Sequence, residues 1–215
     1  MTADTIDTID TLMARYVAGA LPLPARVLVE SHLEINGANR GLVDGLEALA
    51  GNALEAEEPV TIADRADRLQ AIFGSAQPTQ ARPDTAPGSD GLPLALRDLL
   101  GVGLDRVPWH TKLPGIREHH IGDFDGCEAS LFWFKAGRRL PAHTHEGSEL
   151  TLVIDGAFTD TRGRFARGDI SVADPSVDHR PVADKGKPCI AFIVTDAPLK
   201  LTGPLYQRLT DILGA

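Results

Sequence analysis

The stretch GRRLPAHTHEGSELTLVIDG, residues 137–156, decides the fold. Between its first and last glycines it sets His143, His145 and Glu149 at odd-numbered positions, and side chains two apart on a strand share a face. His143 and His145 therefore point the same way, and Glu149 keeps that parity across the turn at Gly147. A second stretch, GDISVADPSVDH, residues 168–179, brings His179 from a neighbouring hairpin as a fourth donor. Imidazole nitrogens and a carboxylate converging on one face are what a borderline divalent cation selects. A lone histidine in such a strand is usually an ordinary core or surface residue. Four donors at this spacing are predicted to hold one metal ion.

Around these stretches the chain reads as brief β-rich runs broken by Gly, Pro and Asp. CEASLFWFK, ELTLVID, GDISVA and CIAFIVT are the clearest strands. Short strands with turn signals and no intervening helices predict an antiparallel sandwich or barrel. Three histidines and one glutamate suit a tetrahedral zinc site, or part of an octahedral shell for manganese, iron or nickel. Cys127 and Cys189 each sit in an apolar run and read as reduced thiols in the core. Arg138, Arg139, Arg162, Arg164 and Arg167 read as a solvated rim, the rival being a site for an anionic ligand or for an acidic partner segment. His119 and His120 are adjacent, so only one of them faces inward on a strand, and a structural role is expected. His110 has no identifiable partner.

The first third has a different period. Ile6, Ile9, Met13 and Tyr16 recur at three- and four-residue steps on one helix face, and Gly19 ends that helix. A second helix starts at the Pro22–Pro24 corner and runs through ARVLVESHLEI towards Gly37. A third follows over residues 39–53. A fourth takes Thr61 or Asp64 as its cap and stops at Gly74, with Ala66, Leu69 and Phe73 on its buried side. Residues 1–74 are thus predicted to form a small helical bundle. Residues 75–91, with Pro78, Pro83 and Pro87 among small polar residues, form a flexible linker, and residues 92–215 form the metal-binding β domain. Fold class is α+β.

Charge divides the chain in the same place. Residues 1–76 hold 12 acids and 5 bases, whereas residues 77–215 hold 18 acids and 16 bases. The helical part is the acidic part and suits a basic partner. The net charge of −9 and the lack of a basic stripe argue against direct nucleic-acid binding. No apolar run approaches the length of a membrane span, and the start MTADTIDTID is acidic where a signal peptide is basic, so a cytoplasmic location is expected.

Residues 137–156 match the first cupin motif at every spaced position, and residues 168–179 match the second in glycine and histidine spacing. Asp174 stands at the second motif's usual proline, with Pro175 one place late. Ser176 replaces its internal glycine and Ala183 its closing asparagine. The β domain therefore resembles a cupin, a double-stranded β-helix or jelly-roll barrel. The whole order resembles the ChrR-type anti-sigma factors, with LMARYVAGALP and LVESHLEINGANR as the local carriers. That resemblance implies that the helices grip an extracytoplasmic-function sigma factor. It implies too that the cupin responds to singlet oxygen or related oxidants, with zinc as the first choice of metal. Cupins often pair through their strands, so it also leaves room for a homodimer.

One departure is local. Where the family carries His, three residues, Cys, two residues, Cys, this chain has His32, Asn36 and Asn39. Asparagine amides are poor zinc ligands beside thiolates, so one metal per chain rather than two is expected. The bundle is then held by apolar packing of Leu28, Leu33, Leu42, Leu46 and Leu69. The second function class that fits is a metal-dependent cupin enzyme, dioxygenase- or hydrolase-like, with an accessory helical domain. No acid–base pair or nucleophile stands out beyond the ligands, which favours the regulator.

Overall fold

The computed structural model describes residues 8–75, 91–205 and 211–213. The expectations placed on Ile6 and on Pro78, Pro83 and Pro87 lie outside the described residues.

Helix α1 spans Ile9–Val17. Thr8 caps it, its hydroxyl accepting the Thr11 N–H at 3.1 Å. Helix α2, Leu23–Ile35, places Pro24 in its first turn, where a missing N–H costs nothing. Asn36 ends α2 and accepts the Ala38 N–H through Oδ1 at 3.1 Å, turning the chain into helix α3, Arg40–Glu55. Helix α4 is Arg65–Gly74 and helix α5 is Leu94–Leu100.

The strands are β1 His110–Leu113, β2 Ile116–Phe124, β3 Cys127–Phe134, β4 His143–His145, β5 Glu149–Asp155, β6 Ala157–Asp160, β7 Gly163–Ala166, β8 Ile170–Ala173, β9 Val182–Ala183, β10 Cys189–Thr195 and β11 Leu199–Leu201. They form three antiparallel sheets, ordered β1-β2-β3-β10-β5-β8, β11-β4 and β7-β6-β9. Mutual bonds between the His143 and His179 backbones, 3.0 Å each way, tie the second motif to the first. The four strands read from the sequence are β3, β5, β8 and β10.

Strand alternation sorts the large sheet into two faces. On β5, Leu150, Leu152 and Ile154 face outward with Phe192 and Val194 of β10, while Glu149, Thr151 and Val153 face the barrel interior. The outward face is not left to water. Leu12 and Met13 of α1, Leu28 and Leu33 of α2, Val43 of α3 and Leu96 of α5 join it in one hydrophobic core. Each such buried side chain contributes on the order of 2 kcal/mol. The helices are therefore not a self-contained bundle, because α2 packs on α1, α5, β5 and β10 together.

Helix α4 departs from expectation. Asp64 precedes it with φ +55° and no capping bond from its side chain. Ala66 is exposed, Phe73 is 81% exposed, and Leu69 is only half-buried. Leu42 of α3 is exposed as well, and Leu46 is half-buried. Amphipathic spacing marks a helix face as apolar but does not say what covers it. Here α2 is packed on β5 and β10 of the barrel.

Candidate metal centre

The two motifs bring His143, His145, Glu149 and His179 together. All four side chains are buried, and their ligand atoms lie within 4.8 Å of one another. Strand β4 supplies His143 and His145, and its pairing with β11 at Leu201 and Leu199 fixes their register. Glu149 opens β5 after the Gly147 turn. That turn passes so close under Asp196 that a Cβ on Gly147 would lie 2.0 Å from Asp196 Oδ1, the atom that accepts the Ser148 N–H at 2.6 Å. Only glycine fits there.

Hydrogen bonds at the far side of two rings set their orientation. His143 Nδ1 donates to the Pro141 carbonyl at 2.7 Å, and His179 Nδ1 donates to Asp160 Oδ2 at 2.9 Å. Each ring therefore presents Nε2 as its acceptor nitrogen. Those nitrogens face each other at 3.0 Å, and His179 Nε2 lies 3.2 Å from His145 Nε2. Lone pairs converging without a proton between them are unfavourable unless a cation joins them. Edges of this length belong to a coordination shell with bonds of about 2.1 Å. Glu149 completes the set, one oxygen lying 3.8 Å from His145 Nδ1 and the other accepting from Thr151 Oγ1 at 3.1 Å. The donors therefore fit a divalent metal.

Burial tunes these rings for ligation. It lowers His179 to about 4, helped by the His143 and Arg162 charges and only partly opposed by Asp160. It also lowers His145, against the pull of Glu149. Both are neutral at pH 7, the form that binds metal.

Sequence reading missed the support behind His179. The Asp160 side chain is fully buried and accepts from His179, from Arg162 Nη2 at 2.6 Å and from the Arg162 backbone N–H at 2.8 Å. Burial raises its pKa, but the bonds from Arg162 and His179 outweigh that and hold it below the usual carboxylate range. Arg162 also donates to Ser171 Oγ at 2.8 Å and to the Val172 carbonyl at 2.5 Å. A carboxylate behind a histidine in this way fixes ring orientation, as it does behind metal-ligating histidines. Its only sequence signal is an Asp-x-Arg on the hairpin facing the second motif.

The arginine rim needs correction accordingly. Arg162 reaches inward, and Arg138 is buried, donating to the Asp211 and Ile212 carbonyls. Arg139 is exposed, Arg164 pairs with Asp184 at 2.8 Å, and Arg167 donates to the Gly91 carbonyl at 2.8 Å. They do not form one patch. His119 is half-buried on β2 and His120 is exposed beside Asp123 and Glu128, so they alternate as expected, and neither joins the metal group. His110 is exposed. Cys127 and Cys189 are free thiols, and burial raises both, pushing Cys189 up to about 12.

His143, Glu149 and His179 form part of the wall of a cavity of about 930 Å³ inside the barrel. Phe132, Phe134, Leu140, Phe158 and Ile193 line its apolar side, and Ser130 Oγ, buried and without a hydrogen-bond partner, lies on the same wall. This volume suits a small organic molecule.

The helical segment offers no second metal site among the described residues. His32 Nδ1 is taken by the Gly168 carbonyl at 2.6 Å, and Nε2 lies 2.9 Å from Asn39 Oδ1. The Asn36 and Asn39 amides offer none of the thiolates that a structural zinc site uses.

Comparison with known proteins agrees with this geometry. The family described as the ChrR Cupin-like domain matches residues 98–198. The anti-sigma-E factor ChrR of Cereibacter sphaeroides is 35% identical over 192 residues, covering 89% of each chain. Among solved structures, the Rhodobacter sphaeroides SigE complex with the anti-sigma ChrR matches at 33% identity and a TM-score of 0.72, covering 88% of this chain and 97% of that one.

Proposed function

Because the chain belongs to the ChrR family of anti-sigma factors, we propose that its helices hold an extracytoplasmic-function sigma factor and that its metal-loaded barrel governs release of that partner. The observation that carries the first half is the apolar surface left in water at the end of the helical segment. Leu49 and Leu54 of α3, Val60 and Ile62 of the connection, and Ile72 and Phe73 of α4 are all more than half exposed. Glu55, Glu57, Glu58, Asp64 and Asp67 lie among them. Apolar side chains rimmed by acids suit a partner with a basic rim around an apolar centre. Nothing within the described helices competes for this strip.

For the second half, His143, His145, Glu149 and His179 would hold one divalent ion, zinc in first place. When bound, that ion supplies a Lewis-acid centre open to the barrel cavity. The rest is the work of the chain. Asp160 aims His179, Gly147 lets the Glu149 turn close, and Phe132, Phe134 and Phe158 give the cavity an apolar wall. A partner that works on the transcription machinery carries a cytoplasmic location with it. Among the described residues no helix is long and apolar enough to cross a membrane.

The test is capture of the host's sigma factors on the full-length chain. A stable complex with one of them that weakens as salt rises is expected, since rim charges guide encounter and are screened. Absence of affinity for every sigma factor of that class in the host would refute the reading.

A further inference from the structure

The end of α2 is fastened to the barrel by side chains that serve neither the metal centre nor the apolar strip. His32 is 2% exposed, and its Nδ1–H donates to the Gly168 carbonyl at 2.6 Å, while Asn39 holds its other nitrogen. Asn36 donates through Nδ2 to Asp169 Oδ1 at 3.4 Å. Gly168 has φ +87°, and a Cβ there would lie 2.8 Å from Asn36 Cβ and 2.9 Å from Ile35 Cγ2. The helix end sits this close because the residue beneath it is glycine.

The turn gripped in this way leads to the metal ligands by two short routes. Gly168 N–H donates to the Val153 carbonyl at 2.8 Å, and Val153 N–H donates to the Asp169 carbonyl at 3.1 Å. Val153 lies on β5, the strand that Glu149 opens. In the other direction β8 starts one residue after Asp169. Its Ser171 and Val172 are held by Arg162, which holds Asp160, which holds His179. Every link is a hydrogen bond or a stretch of paired strand.

We propose that His32, Asn36 and Asn39 on the helical side, with Gly168 and Asp169 on the barrel side, form a metal-free joint that passes the state of the metal centre to the helices. Its use in releasing a partner rests on the regulator reading, whereas its mechanical existence does not. A shift of His179 or Glu149 moves β8 or β5, and with it the carbonyl on which His32 is seated. Packed elements tied in this way move together rather than deforming independently.

Amide hydrogen exchange on the full-length chain, without any sigma factor, tests the joint. Two perturbations are applied: removal of metal by chelator, and Arg162→Ala, which disturbs β8 whether or not metal binds. In the otherwise unaltered chain, each should raise exchange in residues 32–40 about five-fold, the scale of losing one buried hydrogen bond, along with exchange in residues 170–173. The joint is then broken from the barrel side by Gly168→Ala. Asn36→Asp breaks it from the helix side, keeping the Ala38 cap but setting a carboxylate against Asp169. In whichever variant folds, residues 170–173 should still respond while residues 32–40 should not. The proposal is overturned if residues 32–40 ignore both perturbations, or respond equally in a joint variant. A chelator without effect beside a working Arg162→Ala arm would overturn the claim that the joint passes the state of the metal centre, leaving a mechanical contact alone. Failure to bind a sigma factor would count against the regulator reading alone.

Discussion

Asp160 is the residue whose removal says most about the metal centre. Its buried carboxylate accepts one hydrogen bond from His179 and three from Arg162, including one from Arg162 Nε at 3.2 Å. Asp160→Ala strips the acceptor from a guanidinium and an imidazole at once. Leaving one partner of a buried ion pair uncompensated costs about 3–5 kcal/mol. The Arg162 side chain is 26% exposed, so water recovers part of its loss and about 2–3 kcal/mol is expected. Asp160→Asn keeps the shape and separates the two roles. An amide NH₂ turned towards His179 Nδ1 forces that ring to carry its proton on Nε2, the nitrogen aimed at the metal. Metal affinity should then fall about 10–100-fold, the usual scale for lost support behind a ligand, with a smaller loss of stability. Urea unfolding of the chelated protein reads the first effect, and competition with a metal indicator reads the second. An Asp160→Asn chain that binds metal like the unaltered one would show that His179 is not oriented in this way.

Gly147→Ala places a methyl group 2.0 Å from Asp196 Oδ1, so thermal unfolding should show about 1–3 kcal/mol of overpacking and metal content should drop. Phe73→Asp alters a side chain that is 81% exposed, so the melting temperature should hold while sigma capture weakens. Elemental analysis should find one equivalent of metal per chain, abolished in a His143→Ala, His145→Ala double variant and unchanged in His32→Gln. For pH, His179 is depressed to about 4 when folded against about 6.5 unfolded, so the unfolded chain binds the extra proton between those values. The chelated protein should lose about 3 kcal/mol as pH falls from 6.5 to 4 and nothing above 6.5 on this account, measured by denaturant midpoints. A flat profile across that window would exclude a buried, neutral His179.

The convergence of the four candidate donors was legible in the sequence because a strand converts spacing into direction without help from the rest of the fold. His143, His145 and Glu149 needed only parity, and His179 needed only a hairpin that brought it alongside. Asp160 was not legible, since Asp-x-Arg is common on surface turns and its meaning comes from β6 lying against β9 in the β7-β6-β9 sheet. Arg138 and Arg162 were misplaced for the same reason: charge in a sequence signals exposure until a buried carboxylate or a row of carbonyls claims it. The burial of α4 was overread because an apolar stripe demands cover but does not specify its source. Asn36 and Asn39 were read only for the thiolates they replace. Their positive role was hidden, because it depends on Gly168, more than a hundred residues away.

Burial falls from α2 through α3 to α4, and this gradient suits a releasable partner. Helix α2 is seated on the barrel with eight buried residues, α3 keeps only Val43 in the core, and α4 has none. The segment is thus fixed at one end and marginal at the other. Isolated helices of ten or so residues are marginal in water, so α4 gains most of its order from whatever it packs against. A partner covering Ile72 and Phe73 would stabilise α4 without disturbing Leu28 or Leu33, and its departure would cost the core nothing. Under the proposed function, control over that departure acts where the helices meet the barrel rather than at the strip itself. At the end of α2, the contact with Gly168 and Asp169 is polar, buried and linked through paired strands to the candidate ligands Glu149 and His179.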